Sequence, residues 1–185
     1  MEVLSVLEYS SIASGICALD AIVKESRVEI VSGRVVNPGK YLIVFSGNIA
    51  DADAGMKRAR NACPADLLDH LFIPAVHPDI VPALKMGDAG ECGTCDDALG
   101  IVETATVAAA IEAADAAAKS ADVRIIQIRI GPGMGGKATV KMTGRVGEIE
   151  TACEYAERIA ERRGGIHRKI VIPNPHAEIL PFLGE

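Results

Sequence analysis

The feature that most constrains the fold of this chain is that it repeats itself. Val6-Leu7-Glu8 returns as Ile101-Val102-Glu103, and Asp20-Ala21-Ile22-Val23-Lys24 as Asp115-Ala116-Ala117-Ala118-Lys119, each 95 positions on. Past a Gly-rich hairpin the offset is 97, matching Gly39-Lys40 to Gly136-Lys137 and Ser46-Gly47 to Thr143-Gly144. Near the ends it is 99, matching Ile73-Pro74-Ala75-Val76-His77 to Ile172-Pro173-Asn174-Pro175-His176. Ile80, Pro82 and Leu84 then match Ile179, Pro181 and Leu183. Two small insertions account for the drift, so the chain is a tandem duplication.

Both copies have the same expected order: a short strand, a helix, a hairpin, a second helix and a last strand. In the first copy these are Val3–Glu8, Ile12–Glu25, Val28–Val35 with Lys40–Ser46, and Leu68–Ile73. In the second they are Leu99–Glu103, Val107–Ser120, Val123–Ile130 with Lys137–Thr143, Val146–Arg163 and Lys169–Ile172. The second helix is clearest at Val146–Arg163, where Ile149, Ala152, Cys153, Ala156, Ile159 and Ala160 recur at helical spacing. The order βαββαβ implies an α+β sandwich of ferredoxin-like type, with both helices on one face of an antiparallel sheet. One sheet face is expected to lack helical cover. Residues 1–84 form the expected first domain and 98–185 the second. Between them, 85–97 is polar, Gly-rich and without apolar periodicity, and reads as an exposed linker.

Composition removes several classes of function. The net charge is −6 with no basic run, which argues against nucleic acid as a partner. The longest apolar stretch is interrupted by Glu112 and Asp115, so no membrane span is expected. Met1-Glu2-Val3 enters a strand at once, and the chain reads as cytoplasmic. Its five cysteines are an odd number, expected to be free thiols. Cys17 and Cys153 fall on helix faces, where each reads as a small buried hydrophobe.

Three stretches invite chemistry. Gly131-Pro132-Gly133-Met134-Gly135-Gly136-Lys137-Ala138 is one hydroxyl short of a phosphate-binding loop. Such a loop opens a helix, whereas Ala138–Thr143 alternates as a strand does, so a nucleotide site is not expected. Cys92-Gly93-Thr94-Cys95 is a single CxxC without the two further ligands a tetrahedral metal site needs. It supports only a minor alternative, an electron-relay protein using Cys92 and Cys95 with a metal or iron–sulfur group. Glu8 and Glu103 end matching strands and read as structural, so neither a catalytic group nor an enzymatic activity is expected.

Leu99-Gly100-Ile101-Val102-Glu103-Thr104, Ala113-Ala114-Asp115-Ala116 with Lys119, the Gly-rich hairpin, and Ile172-Pro173-Asn174-Pro175-His176 together resemble the bacterial microcompartment (BMC) shell domain. The first copy carries the same marks in Glu8, Asp20, Lys24, Gly39-Lys40, Pro74 and His77. With two such domains in unpermuted order, the chain resembles tandem-domain shell proteins of the trimeric class. Asn37-Pro38-Gly39-Lys40 and Gly133-Met134-Gly135-Gly136-Lys137 are most similar to the propanediol-utilisation type.

The resemblance implies that three chains form a pseudohexameric tile in the shell of a protein organelle. Its partners would be itself, other shell proteins, encapsulated enzymes and small polar metabolites passing a central pore. The pore would be rimmed by Asn37, Pro38 and Gly39 alternating with Gly133, Met134 and Gly135. Lys24, Lys119, His77 and His176 would lie at the tile edge, with Ala75 and Asn174 standing where the family often has an arginine. Relatives can carry a cysteine at the position of Asn37 and hold an iron–sulfur cluster on the axis. An asparagine supplies no thiolate, so no cofactor is expected.

Overall fold

The structure, a computed structural model, describes residues 3–131 and 134–184. It divides into two compact units, Met1–Val76 and His77–Glu185. In the first, β1 (Val3–Tyr9), α1 (Ile12–Glu25), β2 (Glu29–Val36), β3 (Lys40–Gly47), α2 (Ile49–Ala62) and β4 (Leu67–Ile73) follow in order. The second opens with α3 (Ile80–Ala89). It continues as β5 (Ala98–Thr104), α4 (Val107–Ser120), β6 (Val123–Ile130), β7 (Ala138–Gly144), α5 (Val146–Glu161) and β8 (Ile166–Pro173). A 3-10 turn, Ala177–Phe182, follows β8.

Strand orders β2-β3-β1-β4 and β6-β7-β5-β8, antiparallel throughout, realise the expected βαββαβ sandwich twice. Even the irregularities are duplicated. The β2–β3 register shifts between Ile30 and Ser32, and the β6–β7 register between Ile125 and Gln127. Shifts at Glu8/Tyr9 and Glu103/Thr104 match in the same way. Helix starts repeat as well: the Ser11 and Thr106 hydroxyls accept from the amides of Ser14 and Ala109.

Alternation on β1 and β3 sends Val3, Leu7, Tyr9, Tyr41, Ile43 and Phe45 toward Ala18 and Ile22 of α1 and Ala52, Met56 and Ala59 of α2. Each fully buried Leu, Ile or Phe stabilises the fold by about 1.5–3 kcal/mol over its exposed state. On the opposite face Leu4, Val6, Leu42 and Val44 are buried too. In the second unit that face carries a polar cross-strand pair instead. Lys141 donates to the Gln127 side chain at 2.6 Å and also to the Leu183 carbonyl. Gln127 donates to the carbonyl of Glu91 at 2.6 Å, and Arg129 to that of Gly184 at 2.8 Å. The chain end is thereby strapped across the sheet.

The stretch expected to close the first domain and open the linker belongs to the second unit. Ile80–Ala89 is helical because Ile80, Ala83, Leu84 and Gly87 form one buried stripe, and it packs along β6. Residues 91–97 are laced down rather than free. The Gly93 amide donates to the Ile126 carbonyl at 3.0 Å, and the Asp96 amide to the Thr143 hydroxyl at 3.0 Å. Arg124 reaches the Thr94 carbonyl and the Asp96 carboxylate at 2.9 and 2.7 Å.

The two helical layers reach the same packing with different volumes. A Cβ on Gly15 would sit 2.4 Å from that of Tyr41, so α1 approaches β3 only because residue 15 has no side chain. The second copy has Ala110 and Ala138 at these places, both fully buried. Gly15→Ala should therefore cost about 1–3 kcal/mol by overpacking, and Tyr41→Ala about 3–5 kcal/mol by leaving a cavity. The double variant should lose at least 0.5 kcal/mol less than the sum, measured by urea unfolding. Strictly additive losses would show that clearance is not what Gly15 supplies.

Candidate functional site

The surfaces that the duplication singles out are two hairpin turns and two strand-end segments. At the first turn, Asn37-Pro38 is a cis peptide and Gly39 has φ 75°, a left-handed conformation that glycine adopts without strain. Asn37 is half-buried, while Pro38 and Gly39 are exposed. The base of this turn is anchored by Lys40, whose ammonium donates to the Glu8 carboxylate at 2.9 Å, with Glu8 almost fully buried. The structural reading of Glu8 therefore has a partner. At the second turn, Lys137 donates its amide to the Met134 carbonyl at 3.0 Å, and Gly135 and Gly136 have φ 60° and 87°. Gly133 lies outside the described residues. Ala138 begins β7, so no helix follows the Gly-rich loop to cradle a phosphate.

Lys24 and Lys119 each close an i, i+4 pair at 2.6 Å, with Asp20 and Asp115. Their settings differ. The Asp20 side chain is 57% exposed, that of Asp115 only 9%. Asp115 also accepts the backbone amide of His77 at 2.8 Å, which brings three of the singled-out positions together. The imidazoles have the same local job in both copies, because Nδ1 of His77 accepts the Asp79 amide and Nδ1 of His176 the Glu178 amide, each at 3.3 Å. The positions lacking the arginine, Ala75 and Asn174, share a left-handed backbone, with φ 54° and 46°. Asn adopts it more readily than Ala.

Cys92 and Cys95 are both half-buried. Burial pushes the Cys92 thiol up and the Lys141 ammonium nearby opposes this, while burial lowers Lys141 itself. The Cys95 thiol donates to the Ala98 carbonyl at 3.7 Å and lies 3.5 Å from the Thr143 hydroxyl, tying it to the sheet. Among the described residues no group of three or more His, Cys, Asp or Glu side chains is placed to hold a metal. Cys153 is the buried hydrophobe expected, its thiol pushed up to about 11 by burial. Cys17 is not: it is exposed, on the side of α1 away from the Gly15, Ala18 and Ile22 stripe, and its thiol hydrogen-bonds with Cys63.

Two features escaped the sequence reading. Lys141 was visible as a charge in the central strand Ala138–Gly144, but its carbonyl partner Leu183, 42 residues away, was not. The His77–Asp115 bond uses a main-chain amide, which leaves no mark on side-chain identity.

A model of the BMC domain matches residues 4–76 and again 98–175. The chain is 31% identical over 175 residues to the bacterial microcompartment shell protein PduT of Citrobacter freundii, covering 95% of this chain and 94% of that one. One domain's length, 88 residues, is 40% identical to the shell protein PduA of Salmonella typhimurium, covering 47% of this chain and 90% of that protein. Among solved structures, a microcompartment protein from Desulfitobacterium hafniense superposes with a TM-score of 0.88 at 36% identity, over 97% of this chain and 98% of that one. Two domain matches, a relative aligned along nearly its whole length and a twice-repeated fold lead to one conclusion: the chain belongs to the BMC domain family.

Proposed function

We propose that the chain is a structural shell protein of a bacterial microcompartment, working in the cytoplasm as a homotrimeric, pseudohexagonal tile. The observation that carries this is the duplication itself: the same βαββαβ domain twice in one chain, in the order and length of a microcompartment shell relative. Two similar but unequal domains give the chain heterologous edges, and three chains can close such edges into a ring. The tile joins other shell proteins at its rim and bounds the space in which enclosed enzymes act.

In this reading the turns at Asn37–Gly39 and around Met134–Gly135 alternate around the threefold axis and rim a pore for small polar metabolites. Their own geometry supports this. Both contain glycine in a left-handed conformation, and both join an edge strand to its neighbour. Asparagine presents an amide where methionine presents an apolar chain, so the rim would be polar at alternate positions. Lys24 keeps its side chain 73% exposed beside Asp20, which supports a place for it at the tile edge, and His77 and His176 would take their places at that edge in the same reading.

Multi-angle scattering of the full chain should give three times the 19.4 kDa chain mass, and electron microscopy should show six-lobed particles. A monomer at every working concentration would refute the tile. Asn37→Trp should leave that mass unchanged while slowing the entry of a small polar substrate to an enzyme enclosed in shells built with the variant. Loss of the trimer in Asn37→Trp would instead make the turn an assembly element.

A further inference from the structure

We infer that Cys17 and Cys63 form an oxidation site, a pair of thiols that a hydroperoxide converts to a reversible disulfide tying α1 to the end of α2. Both residues belong to the first unit, so the site is complete within one chain and does not rest on the tile. They stand 46 positions apart (63 − 17), and the fold brings their thiols into a hydrogen bond.

The surroundings hold the two sulfurs in place. Helix α2 ends at Ala62, and the chain then turns through Pro64–Asp66 toward the start of α1. Two bonds fix that turn: the Ser10 amide donates to the Asp66 carbonyl at 2.8 Å, and the Ser14 hydroxyl donates to the Asp66 carboxylate. Ser14 and Cys17 are three residues apart and share one face of α1. Cys63 packs on the core that contains Tyr9, whose hydroxyl donates to the Ala59 carbonyl on α2 at 2.8 Å. A bond between the sulfurs leaves all of these contacts where they are.

The second copy ties the same place by other means. Glu112 stands for Cys17 by the 95-residue offset, and Arg163 lies just past α5 as Cys63 lies just past α2. The Arg163 guanidinium donates to the Glu112 carboxylate, so the second unit joins its two helices by a fixed ion pair. The first unit has two thiols there, which join its helices covalently only when oxidised. Access singles out the same pair: Cys153 is buried and Cys92 and Cys95 are half-buried, whereas Cys17 is exposed.

The chemistry balances with a hydroperoxide as oxidant. The Cys17 sulfur attacks the peroxide oxygen, an S–O bond forms, and the O–O bond breaks to release an alcohol or water carrying the thiol proton. The Cys63 sulfur then attacks the Cys17 sulfur, the S–S bond forms, and the S–O bond breaks to release water with the second proton. Donation to Cys63 pushes the Cys17 thiol up, with Asp20 acting the same way and Lys24 opposing it. Less thiolate is then present at neutral pH, so the oxidation is slow there and quickens as pH rises.

Hydrogen peroxide added to the full chain, followed by alkylation and peptide mapping by mass spectrometry, should give a peptide pair linked through Cys17 and Cys63. The protein should still migrate as one chain on a non-reducing gel, and dithiothreitol should restore both thiols. The rate should rise roughly tenfold per pH unit from pH 7 to 8.5. Oxidation should raise the thermal midpoint of the wild type by about 5 °C or more and leave that of Cys17→Ser unchanged. Sulfinic acid at Cys17 with Cys63 still reduced, or Cys17 joined to a second chain, overturns the inference. So does a wild-type midpoint that oxidation does not move.

Discussion

The seating of His77–Glu91 on α4 and β6 is the interaction on which much of this molecule depends. An edge strand offers a row of unpaired amides and carbonyls, which folded proteins cover or blunt. Here β6 is covered from the preceding segment: Asp79 takes the Ile125 amide, α3 packs along the strand, and Gly93 gives its amide to Ile126. That arrangement makes the second sheet a finished object. It also helps to bury Ile126 at the register shift, where Gly93 lies against it; Ile125, Ile128 and Ile130 stand opposite Met142, Val140 and Ala138, as alternation broken by that shift requires. The matching strand β2, with the same place in its own sheet, has only one buried residue, Val36.

The two copies keep backbone geometry and trade side-chain volume. Gly15 with Tyr41 becomes Ala110 with Ala138, and Gly55, whose Cβ would meet the Ser26 hydroxyl at 2.7 Å, becomes Ala152 beside Ala121. Each swap adds bulk on one side and removes it on the other, as a core at crystal-like density requires. The register shifts, by contrast, stay at corresponding positions in both copies. A shift re-aims every residue beyond it, so it is harder to exchange than a methyl group.

This division explains what was legible in the sequence. Strand and helix order could be read because alternation and 3.6-residue spacing are written in side-chain identity, and the duplication let each copy check the other. Of the expected α5 stripe, Ile149, Ala152, Cys153, Ala156 and Ala160 are buried and only Ile159 is half-exposed. The helix at Ile80–Ala89 was hidden by its composition: Pro82, Gly87 and Gly90 read as loop, yet Pro82 lies in the first turn, where no amide is needed. Gly87 is there for close approach and Gly90 for a left-handed end at φ 70°. Burial of Asp115 could not be read either. Asp115-Ala-Ala-Ala-Lys119 and Asp20-Ala-Ile-Val-Lys24 have the same charged pattern, and only the surrounding chain distinguishes them.

That last difference shows what a third partner does to an ion pair. Lys24 and Asp20 meet at 2.6 Å with both side chains largely in water, where such a helical pair is worth about 0.3–0.5 kcal/mol. Burying the same pair would cost more in lost hydration than the Coulomb attraction returns, unless further hydrogen bonds are made. At Asp115 the further bond is present: one oxygen takes the His77 amide and the other the Lys119 ammonium, so the carboxylate is satisfied on both sides while nearly buried. An amide bonded to a charged acceptor contributes about 1.5–3 kcal/mol, several times the exposed pair. The aspartate is thus a receptor for a backbone group, and its lysine is the counter-charge that lets it be covered.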